Sequence, residues 1–369
     1  MIRVLQIVPN MHAAGLETLI MNLYRNIDRT QIQFDFLTHY SGKYFYDDEI
    51  VSLGGHIYRL SFRDDNNLNK YLNDLDLFFK KHKYYIVHSH MSSTAIFTLK
   101  AAQKYGVPVR ILHSHNTSTE KTLKGKLKYM LLRHSARYAN YYFACGEEAG
   151  RYLFGNKPFV VIHNAIDLEK FRYAKLPEDD LINKLNLKNK FIIGHVGRFN
   201  TQKNHKFLLE VFEKTIITIP ESVLLLVGEG ELEAEIKNLV IQKKLENSVF
   251  FLGVRSDTEK LYKLFDVFLL PSLFEGLPVV GIECQASGVK TIISHKITKE
   301  VQITNYISML PIDEGVECWV NRIKEIKNVY NIINSEEEHQ KLIDSGYDIR
   351  TEANALLEKY QRLIKSTGE

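Results

Sequence analysis

The sequence predicts an α/β protein made of two doubly wound, Rossmann-like halves, and three observations carry that prediction. Its 369 residues exceed one compact core and suit two domains of ordinary size. Short β-rich runs alternate with longer helical patterns along the whole chain, the signature of βαβ units around parallel sheets. A polar stretch without strand character, beginning at Leu176, separates two such series.

The first series opens on Ile2-Arg-Val-Leu-Gln-Ile-Val8, a buried strand over residues 3–8. Further strands are expected over 33–38, 85–88, 109–113, 141–144 and 159–162, with helical periodicity between them over 16–25, 68–80 and 94–105. The second series places strands over 191–196, 223–227, 249–252, 267–270 and 290–293, each followed by a helical segment. The expected division is a first domain over 1–165 and a second over 166–351, with a hinge near 164–190. Open parallel sheets bind ligands beyond the carboxyl ends of their strands, so the ligand is expected in the cleft between the halves.

Composition removes several function classes. Hydrophobic residues at 45% and charged residues at 25% are ordinary globular values. A net charge of +4 over this length gives no reason to expect nucleic acid as a partner. Cys145, Cys284 and Cys318 form neither a pairing framework nor a CxxC, which favours a reducing compartment and gives no zinc signal. No apolar run approaches the roughly 20 residues of a membrane span. The opening lacks the long apolar region and small-residue cleavage site of a signal peptide, so a cytoplasmic protein is expected.

The richest motif is Pro271-Ser-Leu-Phe-Glu275-Gly276-Leu277-Pro278-Val279, with Glu283 eight residues beyond Glu275. Pro278 suits the first position of a helix, where its missing N–H is harmless. Gly276 and Leu277 then lie where free N–H groups and the positive helix end meet an anion such as phosphate. The two carboxylates suit the adjacent hydroxyls of a sugar or ribose. A capped helix with two solvated glutamates fits the same spacing as well.

A second motif, Gly197-Arg198-Phe-Asn-Thr-Gln-Lys203-Asn204, joins a buried strand to a helical pattern over 207–212. Gly197 permits close backbone approach, and Arg198 and Lys203 flank the turn as two cations able to hold a diphosphate without a metal. Taken alone it is also an ordinary charged surface loop. A third turn, Pro9-Asn-Met-His-Ala-Ala-Gly15, follows the first strand; neither it nor Gly228-Glu-Gly230 is a GxGxxG fingerprint, which argues against a dehydrogenase.

Two His-x-His pairs occur, His88-Ser-His90 and His113-Ser-His115. Alternate residues of a strand share a face, so either pair could chelate a metal in a metal-dependent hydrolase. No carboxylate set completes such a shell, and a histidine at a strand's carboxyl end more commonly forms the hydrogen-bonding wall of a cleft. Finally, residues 121–137 carry six Lys/Arg, no acid and interleaved leucines. The segment suits an anionic membrane surface, or equally a helix with a solvated basic face.

Taken together, the Gly197-Arg198 turn with Lys203, the Glu275-Gly-Leu-Pro278 element with Glu283, Asn164-Ala-Ile-Asp167, Val227-Gly-Glu-Gly230 and Phe251-Leu-Gly-Val254 occur in one order and spacing. In that order they resemble the retaining glycosyltransferases of family 4, over nearly the whole chain. The stretches His113-Ser-His-Asn116 and Gly197 to Asn204 are most similar to bacterial capsule and exopolysaccharide assembly members.

The resemblance implies a GT-B fold, with the acceptor on the first half and a nucleotide-sugar, on balance a UDP-sugar, on the second. It implies that Arg198 and Lys203 neutralise the leaving diphosphate, helped by Gly15, Gly197 and the backbone at Gly276, Leu277, Pro278 and Val279. Glu283 would bind the ribose hydroxyls, Glu275 the transferred sugar, and the backbone at Val254 and Arg255 the base. The histidine that orients the sugar maps to His115, with His113 as second choice. The last helix, residues 352–369, is expected to pack back on the first domain.

Three positions depart from the family pattern. Ala13-Ala14-Gly15 replaces paired glycines, Ala165 follows the hinge asparagine, and Asn204 stands where glycine often follows the lysine. None removes a charged group. The acceptor is expected to be a saccharide or a lipid-linked saccharide, with no cofactor, no metal and no protein base. An epimerase on the same fold and a sugar-binding regulator without catalysis are the nearest alternatives.

Overall fold

The computed structural model describes residues 1–12, 14–116, 122–172, 179–328 and 335–367. Ala13, Lys121 and the polar stretch through Leu176 therefore lie outside the described residues. The chain divides into two compact units, Met1–Ala165 with Asp348–Glu369, and Ile166–Tyr347.

The first unit is built on a seven-stranded sheet. Its strands are β1 (Ile2–Ile7), β2 (Ile32–Thr38), β3 (Ile57–Arg59), β4 (Ile86–Ser89), β5 (Val109–Ser114), β6 (Tyr141–Ala144) and β7 (Val160–Val161). They lie in the order β3-β2-β1-β4-β5-β6-β7, every pair parallel. Such strands are buried on both faces by crossover helices, which is why β2 is buried along its whole length. The order reverses beside β1, so its carboxyl end and that of β4 flank the sheet's switch point.

The helix Ile349–Thr367 closes one face of this sheet. Its Ile349, Ala353, Leu356, Leu357 and Tyr360 join Leu19, Ile20, Leu23 and Tyr24 of the helix Gly15–Asn26 in one core. The i, i+4, i+7 spacing puts these residues on one stripe, and burying each large side chain contributes about 1.5–3 kcal/mol. Asp348 caps the helix, accepting from the Thr351 N–H at 2.9 Å.

The second unit has a six-stranded sheet. It comprises β8 (Phe191–Val196), β9 (Ser222–Val227), β10 (Val249–Phe251), β11 (Val267–Leu270), β12 (Lys290–Ser294) and β13 (Ile307–Leu310). The order is β10-β9-β8-β11-β12-β13, again all parallel. Here the reversal falls between β8 and β11. Those are the two strands whose carboxyl ends lead into Gly197 and Pro271.

Most expected strands appear within a residue or two of their anticipated bounds, though the expected strand over 159–162 contracts to Val160–Val161. β3 and β13 were not anticipated; both are outermost strands, too short for a periodic signal. One correction concerns Pro278, which is the N-cap and not the first helical residue. Its ψ of 117° is extended, its carbonyl accepts from Gly281 N at 2.9 Å, and the helix runs Val279–Ser287.

Candidate active site

In the second unit, the turn after β8 is held on two sides. Gly197 N donates to Val227 O at 2.9 Å and Phe199 N to Glu229 O at 3.0 Å. Gly228 makes this possible: with φ of +133°, a Cβ there would stand 2.2 Å from Gly197 O. Gly197 is itself covered by the lysine stem, since a Cβ would lie 3.0 Å from Lys203 Cε. Asn200 caps the short turn Thr201–Lys203, its side chain accepting from Lys203 N at 3.1 Å.

Asn204 then takes the left-handed conformation, φ 56° and ψ 48°, before the helix His205–Thr218. Asparagine is among the few residues that adopt it cheaply, which explains why it can replace glycine here. Its Nδ2 also donates to Pro271 O at 3.2 Å.

The loop after β11 is stitched to this turn. Leu273 N donates to Gln202 O at 2.8 Å, and Gln202 Nε2 donates to Phe274 O at 3.0 Å and Glu275 Oε2 at 2.8 Å. Glu275 Oε1 accepts from Ser272 Oγ at 2.9 Å and from Lys203 Nζ at 2.7 Å. Both side chains of the Lys203–Glu275 pair are largely buried, at 14% and 10% exposure. A few residues on, the Val279–Ser287 helix begins at an N-cap, Pro278, whose side chain makes no capping hydrogen bond. A cation and a carboxylate thus belong to one stitched assembly at the sheet's switch point, and a helix start, whose end favours an anion, follows it in the chain.

The other expected residues are placed less closely. Arg198 is 70% exposed and directed at Glu231, Nη2 to Oε2 3.1 Å. Glu283, on the 279–287 helix, accepts from the Tyr262 hydroxyl at 2.7 Å, and burial raises its pKa above the ordinary carboxylate value. Val254 is exposed in the turn after β10, beside Arg255, whose guanidinium is held bidentately by Asp257 at 2.7 and 2.8 Å. In the first unit Gly15 opens the helix Gly15–Asn26, exposed and with nothing within 4 Å of a Cβ built there.

The histidines of the first unit form one cluster. His88 and His90 lie at the end of β4, and His113 and His115 at the end of β5. His88 Nε2 lies 3.0 Å from His113 Nδ1, and His90 Nδ1 lies 2.9 Å from His115 Nε2. Gln6 of β1 and Tyr360 of the last helix complete the group, Gln6 Oε1 at 2.9 Å from His90 Nε2 and the Tyr360 hydroxyl at 2.7 Å from His88 Nδ1. Burial holds these rings neutral, pushing His88, His90 and His113 far below the ordinary value and His115 down to about 3.

His88, His90 and His113 bring one ring nitrogen each within 4.8 Å of one another, a spacing a metal could bridge. The same rings also lie at hydrogen-bond distance from one another, from Gln6 and from Tyr360. Sequence reasoning passed over Gln6, Gln202, Ser272 and Tyr262, and read Tyr360 only as part of the last helix's apolar stripe. A polar Gln6 inside a buried apolar strand was the one available signal.

Two parallel Rossmann-like units in one chain define the α/β architecture of GT-B glycosyltransferases. Residues 13–170 match the model of Glycosyltransferase Family 4, and residues 177–348 match that of Glycosyl transferases group 1. The chain belongs to the family 4 glycosyltransferases. It is 36% identical to EpsF of Bacillus subtilis (strain 168), over 97% of this chain and 96% of that one. It is 32% identical to the Escherichia coli UDP-Gal:alpha-D-GlcNAc-diphosphoundecaprenol alpha-1,3-galactosyltransferase, over 77% of each. Among solved structures, Anabaena HepE in complex with UDP and glucose superposes with a TM-score of 0.80 at 17% identity, covering 98% of this chain and 100% of that one.

Proposed function

We propose that this chain is a retaining glycosyltransferase of capsule or exopolysaccharide assembly. It transfers a sugar from a UDP-sugar to a saccharide or lipid-linked saccharide acceptor and needs no metal. The observation that carries this reading is the buried Lys203–Glu275 pair, tied together with Gln202 and Ser272 in one hydrogen-bonded assembly four residues before the Val279–Ser287 helix begins. The name of the E. coli relative, with its UDP-galactose donor and diphosphoundecaprenol-linked acceptor, supports the same substrate classes.

The bond from the anomeric carbon to the diphosphate breaks as the bond to the acceptor hydroxyl forms on the same face, and the hydroxyl proton leaves on a diphosphate oxygen. Negative charge grows on the departing diphosphate. Lys203, Arg198 and the backbone at Gly276 and Val279 are the groups that stabilise it, a contribution of about 3–4 kcal/mol per donor. Glu275 holds the transferred sugar and Glu283 the ribose. His115 is the residue that the family resemblance assigns to orienting the sugar.

At the membrane's inner face, the helix Leu123–Ser135 supplies the contact. Leu123, Leu127 and Met130, at i, i+4, i+7, are exposed on one side, and Arg133, Arg137 and Lys157 line an adjoining cavity. No helix among the described residues is long and apolar enough to cross a membrane.

The test is release of UDP from a panel of UDP-sugars with and without an undecaprenyl-diphosphate saccharide, in EDTA, with NMR of the product's anomeric configuration. Acceptor-dependent release with retained configuration is expected. Loss of turnover in EDTA restored by zinc would favour a hydrolase at the histidine pairs. Interconversion of the nucleotide-sugar without acceptor would favour an epimerase.

A further inference from the structure

Gln6 sits between two chains of hydrogen bonds that end on different histidines. Its amide nitrogen donates to the Tyr360 hydroxyl at 3.3 Å, and its amide oxygen lies 2.9 Å from His90 Nε2. An amide oxygen only accepts and an amide nitrogen only donates, so each end of Gln6 imposes a direction on the chain attached to it.

On the Tyr360 side, the hydroxyl receives from Gln6 and, with no other acceptor for its proton among the described residues, gives that proton to His88 Nδ1 at 2.7 Å. A neutral ring with Nδ1 accepting carries its proton on Nε2, which donates to His113 Nδ1 at 3.0 Å. His113 is left with its proton on Nε2, a buried atom with no hydrogen-bond partner among the described residues. On the other side, the amide oxygen requires His90 to carry its proton on Nε2, so His90 Nδ1 accepts from His115 Nε2 at 2.9 Å. His115 then has an unprotonated Nδ1.

We infer that Gln6 and Tyr360 are positioning residues that fix the tautomers of the histidine cluster, so that His115 presents a hydrogen-bond acceptor at Nδ1 and His113 a donor at Nε2. Burial supports this by holding all four rings in the neutral form, in which one nitrogen must give and the other receive. Reversing the single Gln6 amide would reverse both chains and turn His115 Nδ1 into a donor. One side chain therefore sets the polarity offered at two strand ends. What His115 Nδ1 accepts from, a sugar hydroxyl, rests on the glycosyl-transfer reading; the tautomers themselves do not.

The two are separated by an experiment that reads protons rather than turnover. Full-length protein labelled with 15N-histidine is observed by long-range 1H–15N NMR at pH 7.5, with His113→Asn and His115→Asn assigning the two rings. Both His113 and His115 are expected as Nε2–H tautomers. Gln6→Leu is expected to mix the tautomers at His115 and to lower kcat about tenfold, the worth of one hydrogen bond, at unchanged KM for the donor. Tyr360→Phe removes the acceptor that orients the Gln6 amide and is expected to mix the tautomers at both His113 and His115.

An Nδ1–H tautomer at His115 in the unaltered protein would overturn the inference. So would a His115 signal indifferent to Gln6→Leu, or stoichiometric zinc that shifts His88, His90 and His113 together. A fixed tautomer in a protein with no transferase activity would leave the positioning role standing and remove only its use in sugar transfer.

Discussion

Lys203 Nζ lies 2.7 Å from Glu275 Oε1, joining two loops that are 72 residues apart and leave adjacent strands β8 and β11. The same lysine that the proposed chemistry needs for the diphosphate is therefore also a brace of the second unit. Arg198 differs: its side chain is exposed and pairs with the exposed Glu231 at 3.1 Å.

That contrast separates two variants. Lys203→Ala and Arg198→Ala are both expected to lose about a hundred- to thousand-fold in turnover. Stability divides them. Breaking one side of a buried ion pair costs about 3–5 kcal/mol, and the remaining exposure here favours the lower figure, or roughly 6–12 °C in Tm. Arg198→Ala should stay within about 0.5 kcal/mol of the parent, as exposed ion pairs contribute little. Calorimetry beside a UDP-release assay checks both, and equal Tm losses would remove the distinction.

Asn204 yields a second prediction from its backbone alone. With φ of 56° it occupies the left-handed region, so Asn204→Gly should fold and turn over nearly as the parent does. Asn204→Val should cost about 1–2 kcal/mol or more through strain and displace the preceding Lys203. Thermal melts of the pair measure this. A valine variant as stable as the glycine one would show that this turn is free to relax.

The fold was legible where a parallel strand is a short apolar run bounded by polar turns, as in Val267–Leu270 before Pro271. The carriers of charge were legible for a similar reason, since Arg198, Lys203, Glu275 and Glu283 lie on the turns and helix starts that such strands lead into. What escaped was contact across the chain. No local pattern ties Gln202 to Glu275, Tyr262 to Glu283, or Tyr360 to His88, because each pair is created by strand order and not by spacing. The His-x-His pairs suggested a chelate when read singly. Placed on neighbouring strands, the two pairs form one cluster whose rings lie at hydrogen-bond distance from one another.

Glu17 gives a third prediction. It is buried in the first turn of the helix Gly15–Asn26, and burial lifts its carboxyl from 4.5 to about 7. Between those values the unfolded chain has released a proton that the folded one keeps, so stability falls as pH rises from about 4.5 to 7 and is constant above. The shift corresponds to about 3 kcal/mol. Glu17→Gln should remove the slope and be the more stable protein at pH 8 by about that amount. Denaturant melts of parent and variant at pH 6 and 8 read it directly, and parallel profiles would refute it.

The buried histidines act in the opposite sense and in greater number. His39 and His115 are pushed down to about 3, and His88, His90 and His113 far below the ordinary value, all by burial. As pH falls below about 6.5 the unfolded first unit binds these protons and the folded unit does not, so stability present above 6.5 is lost on acidification. Each such proton contributes about 1.4 kcal/mol per pH unit, and five of one sign outweigh the single opposing proton of Glu17. A domain held by about 5–15 kcal/mol cannot sustain that slope for long, so the first unit is expected to unfold near pH 5. Circular dichroism against pH, with potentiometric proton uptake across the transition, tests this. A first unit that stays folded at pH 4 while taking up protons would mean that the histidine cluster opens to water or rearranges without unfolding, and that its hydrogen bonds are weaker than the geometry requires.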